Sequence, residues 1–230
     1  QMERIYRDKT YRVFRKTDDP LSRVTVINTE ESNIGFIRKD NDFLNEMFRL
    51  LIEDYGFDVD NAAIYYLFDR DPDSNTDSAF IEEMLGKLGS ARDVNPDMMR
   101  QGMLLLSYPC IESFIGMNLL DNSLAYCWNK GVQNGHQLKQ ALNQDGALAN
   151  KITQETMIKS VEALITALNT VGENTQADEL LNSLDRFADN NRKVYDWQEE
   201  QRRQKGGYGL LSLMTIALLD LGLIQRVEDE

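Results

Sequence analysis

The chain is poor in the residues that build zinc sites and disulfide frameworks. Its 230 residues hold two cysteines, Cys110 and Cys127, and one histidine, His136. With no Cys-x-x-Cys spacing and a single imidazole, the composition argues against tetrahedral zinc. Both cysteines sit in apolar sequence and read as reduced core residues of a cytoplasmic protein. No apolar run reaches the ~20 residues a bilayer span needs, and the polar opening, Gln1 to Arg7, lacks a signal-peptide pattern. No membrane partner is therefore expected. Positive charge is scarce: 25 Lys and Arg stand against 38 Asp and Glu, a net charge of −13. Such a surface repels phosphate backbones over most of its area. No Gly-x-Ser-x-Gly and no Gly-x-x-x-x-Gly-Lys occurs, so serine-nucleophile and phosphate-cradle chemistry have no support. Internal repeats and low-complexity segments are absent too.

What is present begins with one stretch, Ile64-Tyr65-Tyr66-Leu67-Phe68-Asp69-Arg70-Asp71-Pro72-Asp73. The apolar run Ala63 to Phe68 reads as a buried strand, and it ends in three acids at alternate positions. Side chains at i and i+2 of an extended chain share a face. Asp69 and Asp71 are therefore expected to project together if the strand geometry continues. Two carboxylates sharing a space repel, and one takes up a proton unless a cation lies between them. Oxygen-only ligands of this kind suit Mg²⁺ or Mn²⁺. Pro72 stops the strand at the acids, at the sheet edge where open α/β folds bind ligands. Asp-Pro-Asp-Ser-Asn is equally good turn chemistry.

Elsewhere, Arg23 to Asn28 reads as a short strand and Gly102 to Ser107 as one covered on both faces. Asp40 to Gly56, the residues after Thr76-Asp77-Ser78, Asn134 to Gln144 and Thr153 to Val171 read as helices with apolar stripes. A further helix follows the cap signature Thr175-x-x-Asp178. Alternation of strands with helices predicts an α/β fold with a mainly parallel sheet flanked by helices over residues 1–120, then a helical region over 121–230. Glu112 follows the strand Gly102–Ser107; it either reaches the acidic cluster or caps the helix that Pro109 and Cys110 open. The last apolar run, Tyr208 to Ile224, predicts a buried core helix or a homodimer contact. The N-terminal segment mixes Arg4, Arg7, Lys9, Arg12, Arg15, Lys16 and Arg23 with Tyr6, Tyr11 and Phe14. Arginine and aromatic side chains together suit backbone contact and base stacking. They also suit an edge strand guarded by long basic side chains, and the net charge favours that second reading.

Leu67-Phe68-Asp69-Arg70-Asp71 with its acid-rich loop resembles the Asp-x-Asp strand end of Toprim domains. Leu106-Ser107-Tyr108-Pro109-Cys110-Ile111-Glu112-Ser113-Phe114-Ile115 is similar to a segment of Toprim-like bacterial phage-defence proteins, the RloB group and the AriB-type effectors of PARIS systems. The resemblance spans about residues 20–120. It implies a nuclease effector hydrolysing RNA or DNA, in which Asp69 and Asp71 hold Mg²⁺ or Mn²⁺ and Asp73 assists. It also implies a glutamate near the end of a first strand that moves a proton. Glu30 and Glu31 stand near such a position but lack the Gly that follows in the family. Only one clear helix separates them from Asp69, so Val24–Ile27 matches the family's second strand as well as its first. In that case the first strand and its glutamate lie upstream of residue 1. The other class of function is a non-catalytic Toprim-like module docking to a partner ATPase. A haloacid-dehalogenase reading wants Thr or Val where Asp73 stands. A calcium loop wants Gly and Glu where Ser74 and Phe80 stand.

Overall fold

The computed structural model describes residues 2–7, 11–19, 22–28, 33–35, 49, 52–53, 56, 61–96, 100–172 and 187–224. The chain divides into two compact units, Gln1–Ser32 and Asn33–Glu230. The division expected near residue 120 falls inside the second unit.

The first unit is an antiparallel meander of β1 (Met2–Arg7), β2 (Tyr11–Lys16) and β3 (Arg23–Ile27), in the order β1-β2-β3. β1 carries a bulge between Arg4 and Tyr6. Two expectations change here. β2 is the central strand, paired on both sides, so its basic residues do not guard an edge. β3 belongs to this separate antiparallel sheet and not to a parallel one.

In the second unit the sheet is built on β6 (Arg100–Tyr108), nearly every residue of which is buried. β4 (Tyr65–Asp69) runs parallel to it from Tyr65↔Met103 to Asp69↔Ser107. The opposite edge of β6 takes two short antiparallel partners. β5 (Gly89–Asn95) pairs near its start, and β7 (Leu211–Ser212) pairs at Ser107 and Tyr108. Between those partners the buried Asn191 side chain donates to the Leu104 carbonyl at 2.6 Å and fills the gap in the ladder. The sheet is thus mixed rather than mainly parallel; among the described residues only β4–β6 is a parallel pair.

Among its described residues the unit also forms the helices α1 (Ser78–Lys87), α2 (Ser113–Leu119), α3 (Tyr126–Lys130), α4 (Gly135–Gln144), α5 (Gln154–Thr170), α6 (Phe187–Lys205) and α7 (Met214–Asp220). Their starts follow from local chemistry. Asp77 accepts the Phe80 N–H at 3.0 Å, Asn134 accepts the Gln137 N–H at 2.9 Å, and Thr153 with Thr156 forms a reciprocal capping box. α2 begins at Ser113, after a cis Tyr108–Pro109 bond and a turn. The helices expected over 40–56 and after Thr175 lie largely outside the described residues.

The final apolar run departs from the expected single helix. Gln198 grips Gly209 through both amide atoms, at 2.8 and 3.0 Å. The chain then runs extended: the Leu210 N–H donates to Leu124 and the Leu213 N–H to Leu106. Only Met214–Asp220 is helical. Leu210, Leu211, Leu213 and Ile216 are buried against their own chain. None of the described helices is long and apolar enough to cross a membrane.

Candidate functional site

Because β4 and β6 are parallel neighbours, their carboxyl ends open on the same side of the sheet. The Arg70 N–H donates to the Ser107 carbonyl at 2.8 Å, which carries strand geometry one residue past Asp69. Burial alternates through the acids: Tyr66, Phe68 and Arg70 are buried, while Leu67, Asp69 and Asp71 are more exposed. Asp69 and Asp71 therefore share a face, as period-2 geometry requires. The loop then closes on itself, with the Asp71 carbonyl accepting the N–H groups of Ser74 and Asn75. Asn75 locks it. Its amide donates to the Asp69 carbonyl at 2.8 Å, and its oxygen accepts the Ile34 N–H at 2.7 Å.

The strand β6 delivers the other half. Beyond Tyr108 the Ile111 N–H donates to the Asp69 carboxylate at 2.7 Å. Glu112 follows at the start of α2 without capping it. One Glu112 oxygen meets the Lys139 ammonium of α4 at 3.2 Å; the other is buried with no hydrogen-bond partner among the described residues. Burial raises the Asp69 carboxyl to about 6, with the charges of Glu112 and Asp71 adding to the rise and the Ile111 N–H and Lys139 opposing it. Burial likewise pushes the neighbouring Cys110 thiol up, helped by Glu112 and Asp69. That thiol is protonated and a weak nucleophile. α4 sits close because Gly135 offers no side chain; a Cβ there would lie 3.1 Å from Cys110 and 3.6 Å from the Asp71 carboxylate.

Of the acids singled out in the sequence, Asp69, Asp71 and Glu112 are thus electrostatically linked through Asp69. Asp73 is exposed and accepts the Asn134 amide at 2.9 Å, tying the loop to the start of α4. Glu30 and Glu31 lie outside the described residues. Among the described residues no three His, Cys, Asp or Glu side chains converge closely enough to enclose a metal. The donor set still fits a hard cation that takes one or two carboxylates and keeps its waters. An anionic pair, a proton held up to about 6 and a carboxylate oxygen unpartnered among the described residues are what such an ion relieves.

Two contributors had no strong sequence signal. Lys139 reaches the site only because α4 docks there. Arg70, between the two acids, turns to the opposite face and is 1 % exposed. Its guanidinium pairs with Glu199 at 2.8 Å and donates to the Asn75 carbonyl at 2.7 Å and to Ser78 at 3.1 Å. It lies near the Tyr195 and Tyr208 rings, 5.7 and 5.6 Å from their centroids. Tyr208 also donates to Glu199 at 2.9 Å. No family model, no curated protein and no solved structure matches the chain.

Proposed function

We propose that the chain is a Toprim-like nuclease effector of anti-phage defence, hydrolysing phosphodiesters of RNA or DNA with Mg²⁺ or Mn²⁺. The observation that carries this reading is the parallel β4–β6 pair. It sets Asp69 and Asp71 at the end of one strand, beside a Glu112 that follows the next and keeps a buried oxygen with no hydrogen-bond partner among the described residues. Asp69 and Asp71 would hold the ion. When bound, it would neutralise charge developing on the phosphate and lower the pKa of a bound water. Glu112 is the carboxylate left to accept a proton, and Lys139 holds its other oxygen. The Ile111 N–H fixes Asp69 in orientation.

One observation favours the second reading, a non-catalytic module that docks to a partner ATPase: no third ligand joins the pair among the described residues. Incubation of the purified chain with labelled RNA and DNA in Mn²⁺, beside Asp71→Ala, separates the two. The nuclease reading expects cleavage, reduced about 10²-fold or more in the variant. No cleavage by either protein would favour the module, and equal cleavage by both would remove Asp71 from the site.

A further inference from the structure

The carboxylate site leaves the N-terminal sheet unused, and its register turns a scattered basic composition into one surface. Directly opposed residues of an antiparallel pair share a face. Arg4 opposes Phe14 and Arg7 opposes Arg12 across β1–β2; Arg12 opposes Val26 and Phe14 opposes Val24 across β2–β3. Lys16, two residues beyond Phe14, falls on the same side. Arg4, Arg7, Arg12 and Lys16 therefore surround an apolar centre of Phe14, Val24 and Val26. Arg4, Arg7 and Arg12 are exposed, Val26 is 50 % exposed, and Phe14 and Val24 are half-buried.

Two features point to an anion. Residues 1–27 hold seven of the chain's 25 basic residues and only four of its 38 acids, in a protein that is otherwise strongly acidic. Arg7 and Arg12 are also direct cross-strand partners. Like charges in that position destabilise a sheet, and a bound anion removes the cost. The reverse face carries its own opposed pair, Arg15 and Arg23, but fewer cations among the described strand residues; on the chosen face Lys16 is half-buried and lies 3.9 Å from Asp18, so the three exposed arginines carry most of the free charge.

We infer that this face binds single-stranded nucleic acid, with Arg4, Arg7, Arg12 and Lys16 on the phosphates and a base stacked on Phe14. An unstacked base presents its flat surface to a ring on an open sheet, and guanidinium planes stack on bases as well. A duplex hides its bases and would set phosphates against Phe14, Val24 and Val26. The inference stands apart from the carboxylate site, since its readout is binding without divalent metal.

The test is fluorescence anisotropy of the full chain in EDTA with single strands of about 15 nucleotides, a length that spans one such platform. A duplex of the same sequence, inorganic polyphosphate and phosphatidylserine vesicles serve as competitors. Expected are salt-dependent binding of the single strand and weak competition by the others. The Arg7→Ala/Arg12→Ala double variant should lose about tenfold or more in affinity, with a salt slope shallower by about 1.4. Phe14→Leu should weaken binding about fivefold or more without changing the slope. Circular dichroism shows whether each variant keeps its fold; the double variant, made at exposed positions, remains informative if Phe14→Leu unfolds. Binding is read in EDTA, so the outcome does not depend on whether the parent cleaves. No binding at 50 mM salt, stronger competition by duplex, polyphosphate or vesicles, or an unchanged affinity in the folded double variant would overturn the inference.

Discussion

At the end of β4, successive side chains point to opposite faces, and both faces bury charge. Arg70 on one face is almost wholly enclosed, yet its donors reach Glu199, the Asn75 carbonyl and Ser78, with Tyr208 completing the Glu199 shell. On the other face burial and two like charges push the Asp69 carboxyl up to about 6 against one backbone donor and Lys139, while a Glu112 oxygen has no partner among the described residues. A buried group with every partner in place specifies structure. A buried anionic group short of partners is held at a cost, and such costs gather at functional sites. The same four residues, Phe68 to Asp71, serve both purposes because a strand separates neighbours onto two faces.

The strongest attack on this contrast is at Arg70. Arg70→Met keeps the stem but strands Glu199 in a partly buried place, and removing one partner of a buried pair costs about 3–5 kcal/mol. Urea denaturation should show that loss. Arg70→Met combined with Glu199→Met should recover much of it, since the uncompensated charge is gone. A loss below about 1 kcal/mol for the single change, the scale of an exposed pair, would mean the Arg70 cluster is as dispensable as a surface ion pair.

A metal sharpens the other side. A cation at Asp69 competes with the proton held there up to about 6. Mn²⁺ affinity should therefore rise by close to tenfold per pH unit below about 6 and level off above about 7. Calorimetric titration from pH 5 to 7.5 measures it. An affinity that ignores pH over that window would remove Asp69 from the ligand set.

How far the sequence revealed this arrangement follows from which interactions are local. The runs Ala63–Phe68 and Gly102–Ser107 were legible because each is apolar and short, and the Asp69/Asp71 alternation followed from β geometry alone. β5 was not, because Gly-Ser-Ala-Arg-Asp-Val-Asn is poor in strand-forming residues and pairs only because α1 returns the chain beside β6. Tyr208 to Ile224 misled because an apolar run cannot reveal its own period; the decisive contact, Gln198 to Gly209, comes from α6. Glu112 was visible as a candidate, but its partner Lys139 needed the docking of α4. Nothing local marked Arg70, between two aspartates, for burial; its enclosure depends on Glu199, 129 residues away.

The smallest effect isolates the cost that Asp69 carries without a metal. Its folded-state carboxyl is raised from 3.8 to about 6, so folding favours the protonated form. The stability this group contributes is fully present below about pH 4 and is lost as pH climbs through about 6. Asp69→Asn mimics the protonated form and retains an oxygen to accept the Ile111 N–H. In EDTA at pH 8 the variant should be more stable than the parent by on the order of 1 kcal/mol, with solvent screening allowed for. The difference should shrink toward zero at pH 4, and saturating Mn²⁺ should reverse it by stabilising the parent alone. A variant less stable than the parent at pH 8 in EDTA would show that the Asp69 charge is compensated in the fold, as that of Arg70 is, and the contrast between the two faces would fail.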